Sequence, residues 1–316
     1  MNYSDKSYNG LKTVRDFIRW AATCFSKENL FFGHGSDNAL DEALHLVFQA
    51  LNLPWDLPDN YLSARLTRAE KAQVSQLIQQ RIKERKPLAY LVNQAWFCGK
   101  PYYVDERVLI PRSPIGELIN RQFQPWLGNT EVTRLLDLCS GCGCIGLAAA
   151  QVFDQAVVDL LDISADALEV ARINIDRHEL WDRAQTIRSD LFAALGTSVE
   201  KPEYQLIISN PPYVDAEDMS DIPEEFTHEP EIGLAAGTDG LDFARIILAT
   251  AANYLAADGW LVLEVGNSQW ALRETFPEVP FIWPELEEGG HGILMLPAVD
   301  CHKYQETFKS RMKSNS

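Results

Sequence analysis

The stretch Asn210-Pro211-Pro212-Tyr213 sets a side-chain amide beside two prolines and an aromatic ring, directly after the apolar run Leu206-Ile207-Ile208-Ser209. Two successive prolines cannot continue a β-ladder, because each fixes φ and lacks the N–H that a ladder needs. The run therefore reads as a buried strand that stops abruptly at Asn210. In an open α/β sheet, ligands collect at the carboxyl ends of strands, so a carboxamide held there between rigid neighbours is placed for chemistry. A proline turn with an asparagine cap accounts for the four residues taken alone, and the surrounding chain decides between the two.

A second constellation lies upstream. Arg134-Leu135-Leu136-Asp137-Leu138 is a short apolar strand carrying an acid, and Cys139-Ser140-Gly141-Cys142-Gly143-Cys144-Ile145-Gly146 follows it. Gly141, Gly143 and Gly146 fit G-x-G-x-x-G spacing, and Leu147-Ala148-Ala149-Ala150 begins a helix. The next strand, Ala156 to Leu161, ends in Asp162, about twenty residues past the loop, where one carboxylate can accept hydrogen bonds from both hydroxyls of a ribose. This order predicts a nucleoside cofactor, but glycine spacing alone does not choose between a dinucleotide and S-adenosylmethionine. Asp137 favours the second, since it would oppose a pyrophosphate and suits a cofactor bearing an ammonium and a sulfonium. Asp190, at a further strand end, is placed to accept from an adenine amino group, with Leu191 packing on the ring. The cysteines in the loop lack a second pair at zinc-finger spacing, so no metal is expected. Cys139-x-x-Cys142 resembles a redox pair, yet it lies inside the glycine loop, and a structural role is the better reading.

The elements that must position these residues alternate. A helix over 165–178, a strand leading to Ser189, a helix from Gly240 to Leu255, a strand from Trp260 to Val265 and a late strand over 292–296 complete an α/β pattern with a mainly parallel sheet covered on both faces. Before it, helical spacing predicts amphipathic helices over about 11–26, 40–51 and from the Thr67/Glu70 capping box to Ile82. Ala95-Trp96-Phe97-Cys98 and Tyr102-Tyr103-Val104 flank a glycine turn and read as a hairpin. Val108-Leu109-Ile110-Pro111-Arg112 and a helix over 115–123 follow, with Arg112 either lining a cleft or a surface charge beside a turn. The expected division is thus a helical domain over 1–94, a connecting segment over 95–130 and the cofactor domain over 131–316. His34 and His45 stand alone and are expected to pack rather than ligate.

Composition narrows the function. The chain has 316 residues, with 28 Lys+Arg against 45 Asp+Glu and a formal charge of −17. Such a surface repels phosphate backbones and attracts basic partners, which disfavours a general nucleic-acid binder. The first residues lack the apolar core of a secretory signal, and no uncharged apolar run reaches the ~20 residues of a membrane span. Six cysteines without a disulfide-like framework fit a reduced, cytoplasmic protein.

Asp-Leu-Cys-Ser-Gly-Cys-Gly at 137–143, Asp162, Ser189-Asp190 and Asn-Pro-Pro-Tyr at 210–213 together resemble the class I S-adenosylmethionine-dependent methyltransferases, of Rossmann-like fold. Val108-Leu109-Ile110-Pro111-Arg112 and the preceding helices extend the resemblance over the whole chain to the HemK-type protein-glutamine N5-methyltransferases. The release-factor branch continues Ile-Pro-Arg with Pro-Glu-Thr-Glu, whereas Ser113-Pro114-Ile115-Gly116-Glu117 and His228-Glu229-Pro230-Glu231-Ile232-Gly233-Leu234 look like the branch that modifies large-subunit ribosomal protein L-three. The resemblance implies S-adenosylmethionine bound by Asp137, Cys139, Ser140, Gly141, Gly143, Asp162, Asp190, Leu191 and Asn210. It further implies an acceptor amide held by the Asn210 side-chain oxygen and the Pro211 carbonyl, with Pro212 stiffening the loop and Tyr213 packing on the amide plane. The N-terminal helices are the expected substrate-recognition part, whose deletion would spare cofactor binding. A basic ribosomal protein suits an acidic enzyme. The alternatives are a release-factor methyltransferase, an adenine-N6 nucleic-acid methyltransferase that would need a basic channel, a nicotinamide oxidoreductase that leaves Asn-Pro-Pro-Tyr unexplained, and a non-catalytic assembly factor. The sequence does not specify an oligomeric state.

Overall fold

A computed structural model describes residues 10–196, 201–216, 222–287 and 289–312. Contacts divide the chain into two compact units, one running to Ala95 and taking in Pro223–Glu229, the other holding Trp96–Ile222 and Pro230 onward.

The first unit is helical, with α1 (Val14–Lys27), α2 (Ala39–Ala50), α3 (Arg68–Glu84) and a single-turn α4 (Leu88–Leu91). Reciprocal hydrogen bonds between Thr13 and Asp16 open α1, and between Thr67 and Glu70 open α3, satisfying N–H groups that a helix start leaves without partners. Phe17, Ala21, Phe25, Leu46, Val47, Val74 and Ile78 form its core. Charge is buried there too. Arg81 is 1% exposed, with its Nε 2.6 Å from Glu42 Oε1 and its Nη1 3.4 Å from Glu225 Oε1, and its Nη2 donates to the Phe31 carbonyl. Burial pushes the Glu42 carboxyl above its ordinary range, against the pull of Arg81. The His34 ring packs on Phe226 at 4.4 Å between centroids, with Nε2 3.6 Å from Glu229 Oε2. His45 packs edge-on to Trp55. The return of Pro223–Glu229 to this unit is a feature that the linear division at residue 94 did not anticipate.

In the second unit, β1 (Ala95–Phe97) and β2 (Lys100–Tyr102) form the hairpin, and α5 (Ile115–Asn120) follows. The main sheet contains β3 (Arg134–Leu138), β4 (Val157–Asp162), β5 (Ala184–Arg188), β6 (Tyr204–Ser209), β7 (Leu255–Glu264) and β8 (Ile293–Pro297), in the order β5-β4-β3-β6-β7-β8. All pairings are parallel except β7 with β8. Between the strands run α6 (Cys144–Val152), α7 (Ala165–Arg177) and α8 (Asp242–Ala251). Parallel central strands buried on both faces explain why Leu135, Leu136, Leu206, Ile207 and Ile208 form unbroken apolar runs.

Two boundaries differ from expectation. The helix after Gly240 ends at Ala251 rather than Leu255, which instead opens β7 and pairs with Tyr204. Tyr254 between them stacks on Phe192 and donates to the Gly196 carbonyl, so the last turn is spent on side-chain packing. The helix from Ile115 ends at Asn120 because Gln122 and Phe123 hold positive φ, incompatible with a right-handed helix.

Candidate active site

Strand order reverses between β3 and its neighbours. The chain proceeds from β3 outward to β4 and β5, then returns to place β6 on the other side of β3. Such a switch point opens a crevice beyond the carboxyl ends of the two central strands. Leu138 is paired with Ser209, and the Ser209 hydroxyl donates to the Leu138 carbonyl at 2.9 Å. The glycine loop and Asn210 therefore leave the sheet side by side.

The loop is shaped by its own backbone. Cys139, Gly141 and Gly143 hold φ of 58°, 54° and 79°, and Gly143 N–H donates to the Ser140 carbonyl in a tight turn. A left-handed cysteine costs about 1–3 kcal/mol, a strain that clusters where ligands bind. Leu191, also assigned to the cofactor by sequence, has φ 44°. Gly146 permits a close approach of α6, since a Cβ there would lie 2.4 Å from the Leu160 side chain and 2.9 Å from Asp137. Its N–H donates to Asp137 Oδ2 at 2.8 Å.

Three carboxylates surround this loop. Asp137 is fully buried, and its Oδ1 has no hydrogen-bond partner among the described residues, as is true of the buried Ser140 hydroxyl. Burial pushes the Asp137 carboxyl up to about 7, with Asp162 adding to the rise. Asp162 accepts from Gly141 N–H and from Ser164 N–H, both at 2.9 Å, which ties β4 to the loop; burial raises its carboxyl. Asp190 is exposed at its strand end. Burial, then the charges of Asp162, Asp137 and Asp190, push the Cys139 thiol upward, so all three acids face this residue and its thiolate is disfavoured. An anionic, partly dry crevice with an orphaned carboxylate oxygen and hydroxyl fits a ligand bearing a cationic amine. Among the described residues no group of three or more His, Cys, Asp or Glu could hold a metal ion.

On the β6 side, Pro211 and Pro212 are buried while Asn210 and Tyr213 are partly exposed. Glycines grip Tyr213. A Cβ on Gly266 would lie 2.4 Å from its ring, and one on Gly240 2.3 Å from its carbonyl, which accepts from the Ser268 hydroxyl. The Tyr213 hydroxyl donates to Glu264 Oε1 at 3.1 Å, and the Ser113 hydroxyl donates to Glu264 Oε2 at 2.5 Å. Sequence reasoning missed Glu264, although an acid inside Val262-Leu263-Glu264-Val265 is the same signal that drew notice to Asp137. It also missed Asn174, fully buried, whose amide donates to the carbonyls of Tyr103 and Cys142 and so joins the hairpin exit to the glycine loop. Arg112 is exposed, donates to the Ile110 carbonyl, and lends its charge to the Glu264 environment.

The family described as "Methyltransferase small domain" matches residues 123–239. A "Ribosomal protein uL3 glutamine methyltransferase" of Francisella tularensis is 46% identical over 302 residues, spanning 95% of each chain. A protein of the same description from Neisseria gonorrhoeae is 47% identical over 288 residues, 90% of this chain and 94% of that one. Among solved structures, the hMettl16 catalytic domain in complex with a MAT2A 3'UTR hairpin shares 15% identity and a TM-score of 0.49, over 80% of this chain and 91% of that one. With this identity over nearly the full length of both chains, the protein belongs to the family of ribosomal protein uL3 glutamine methyltransferases.

Proposed function

We propose that the protein transfers a methyl group from S-adenosylmethionine to the side-chain amide nitrogen of a glutamine in ribosomal protein uL3, acting in the cytoplasm. The observation that carries this reading is the pairing of Leu138 with Ser209, which sets an anionic glycine loop beside the carboxamide of Asn210. When bound, S-adenosylmethionine supplies an electrophilic methyl group. Asp137 and Ser140 would hold its amino-acid end, Asp162 its ribose, and Asp190 with Leu191 its adenine.

An amide nitrogen is a weak nucleophile because its lone pair is delocalised into the carbonyl. The chain's contribution is orientation. Asn210 Oδ1 and the Pro211 carbonyl are two fixed acceptors for the two amide hydrogens, which fixes the nitrogen for in-line attack; Pro212 and the gripped Tyr213 remove the loop's freedom to turn. Prepaid orientation can account for several kcal/mol, about 7–11 at most. The same acceptors stabilise positive charge as it develops on nitrogen. The N-terminal helical unit is the part we assign to recognition of the protein substrate.

Labelled S-adenosylmethionine incubated with purified uL3, with release factor and with ribosomal RNA tests the assignment. Label on a uL3 glutamine is expected; label on release factor or RNA alone would overturn it. A second expectation concerns proton linkage. Burial holds the Asp137 carboxyl near 7, and a bound ammonium favours its ionised form. Binding therefore releases a proton below pH 7, so cofactor affinity falls up to about tenfold per pH unit as pH drops below 7 and levels off above it. Calorimetry in buffers of different ionisation enthalpy reads the proton directly, and Asp137→Asn should abolish the slope.

A further inference from the structure

Beyond the residues assigned to cofactor and acceptor, one buried ionisable group lies against the site without a role. Glu264, 3% exposed, ends β7 next to the central strand β6, and its two oxygens are divided between two chain segments. Oε1 accepts from the Tyr213 hydroxyl of Asn-Pro-Pro-Tyr, and Oε2 accepts from Ser113, directly after Ile110-Pro111-Arg112. The Ser113 hydroxyl is oriented in turn, since it accepts from Ile115 N–H at 3.2 Å. Both donors point at the carboxylate, an arrangement that requires it to accept twice. A buried carboxylate is expensive to retain for packing alone, where an apolar residue of similar volume serves as well or better.

We propose that Glu264 is a positioning residue for methyl transfer, holding the Tyr213 hydroxyl so that the Asn210–Pro211 acceptor pair keeps one orientation. The inference rests on the proposed reading of Asn210 as the amide-binding residue. Tyr213 is already confined at its ring by Gly266 and at its carbonyl by Gly240 and Ser268, and the bond to Glu264 anchors the far end of the ring against sideways swing of the whole side chain. Ser113 shares the same carboxylate, and therefore the two motifs flanking the crevice are locked together through one side chain.

Among the described residues, three groups act on the Glu264 charge. Arg112 supplies the charge that favours ionisation, Ser113 and Tyr213 supply hydrogen bonds, and burial, the largest influence, holds the carboxyl up at about 7. From the adjoining strands, Ile293 on β8 is its register partner and Ser209 on β6 pairs with the preceding Leu263, neither of them ionisable near neutrality. Protonation of Glu264 removes one of its two accepting oxygens, so the wild-type kcat should fall as pH drops below about 7.

The test uses full-length protein and compares Glu264→Gln, Tyr213→Phe and the double variant, with uL3 as acceptor. Each single variant should lower kcat by about 10- to 100-fold, leave the Kd for S-adenosylmethionine within about threefold, and flatten the acidic limb of the kcat profile. The double variant should be no slower than the worse single one, because both act through one hydrogen bond. Tyr213→Phe keeps the ring and its packing, so it decides the matter even if Glu264→Gln folds poorly. Normal kcat in Tyr213→Phe, or multiplicative losses in the double variant, would overturn the proposal. Failure of the underlying reading looks different: Asn210→Ala would then retain normal activity whatever Glu264 does.

Discussion

Asn210→Ala is expected to lower kcat for glutamine methylation by about 100- to 1000-fold, the usual cost of removing one pre-aimed polar group at a reacting centre. The cofactor Kd should change by less than about tenfold, since the glycine loop and its acids remain. The size of the effect follows from how firmly the side chain is placed. Ser209 before it is fully buried and bonded to the Leu138 carbonyl, and the two prolines after it are buried as well. Neither proline that follows carries a polar side-chain atom that could take over as acceptor. Single-turnover kinetics with saturating cofactor separate the chemical step from product release. Near-normal transfer in Asn210→Ala would remove the assignment of the acceptor site.

The largest loss of stability is expected from Arg81→Ala. Arg81 is the cation shared by Glu42 and Glu225, all three at most 4% exposed. Glu225 keeps Arg85 Nη1 at 3.6 Å, but Glu42 loses its guanidinium, and a buried charge left without its partner costs about 3–5 kcal/mol. The Phe31 carbonyl loses its donor at the same time. Glu42→Gln in the Arg81→Ala background should recover part of the loss, because it lowers the uncompensated negative charge. Denaturant unfolding of both variants measures the difference; a change under about 1 kcal/mol in Arg81→Ala would mean that water reaches the cluster.

Much of the candidate site's layout follows from residue order. Asp137, the glycine loop, Asp162 and Asn210 each sit at the end of a parallel strand, and the reversal of strand order at β3 gathers what the sequence spaced far apart. Local rules were enough for these residues because each follows an apolar run of strand length and precedes a turn. Ser113 gave no such warning: nothing near it shows that its hydroxyl meets an acid 151 positions away. Glu225 was hidden for the same reason. Within Glu224-Glu225-Phe226-Thr227-His228-Glu229, Glu225 and Glu229 are buried, and the linear segment does not show the distant residues they meet, Arg81, Arg85 and Phe31 for the first and His34 for the second. The end of α8 escapes local rules because Ala251-Ala252 continues the helical spacing while Tyr254 answers to Phe192.

The segment Pro223–Glu229 carries a consequence for how such a protein can be cut or inherited. The chain passes between its two units after Ala95, after Ile222 and again after Glu229. A gene fragment beginning at residue 96 would therefore still encode Pro223–Glu229, a stretch of the other unit, with its Glu225 and Glu229 deprived of Arg81 and His34. Truncation is then no clean removal of the helical unit, and loss of solubility is expected unless the segment is excised as well. For the same reason the helical unit cannot be moved intact onto another methyltransferase by a single crossover.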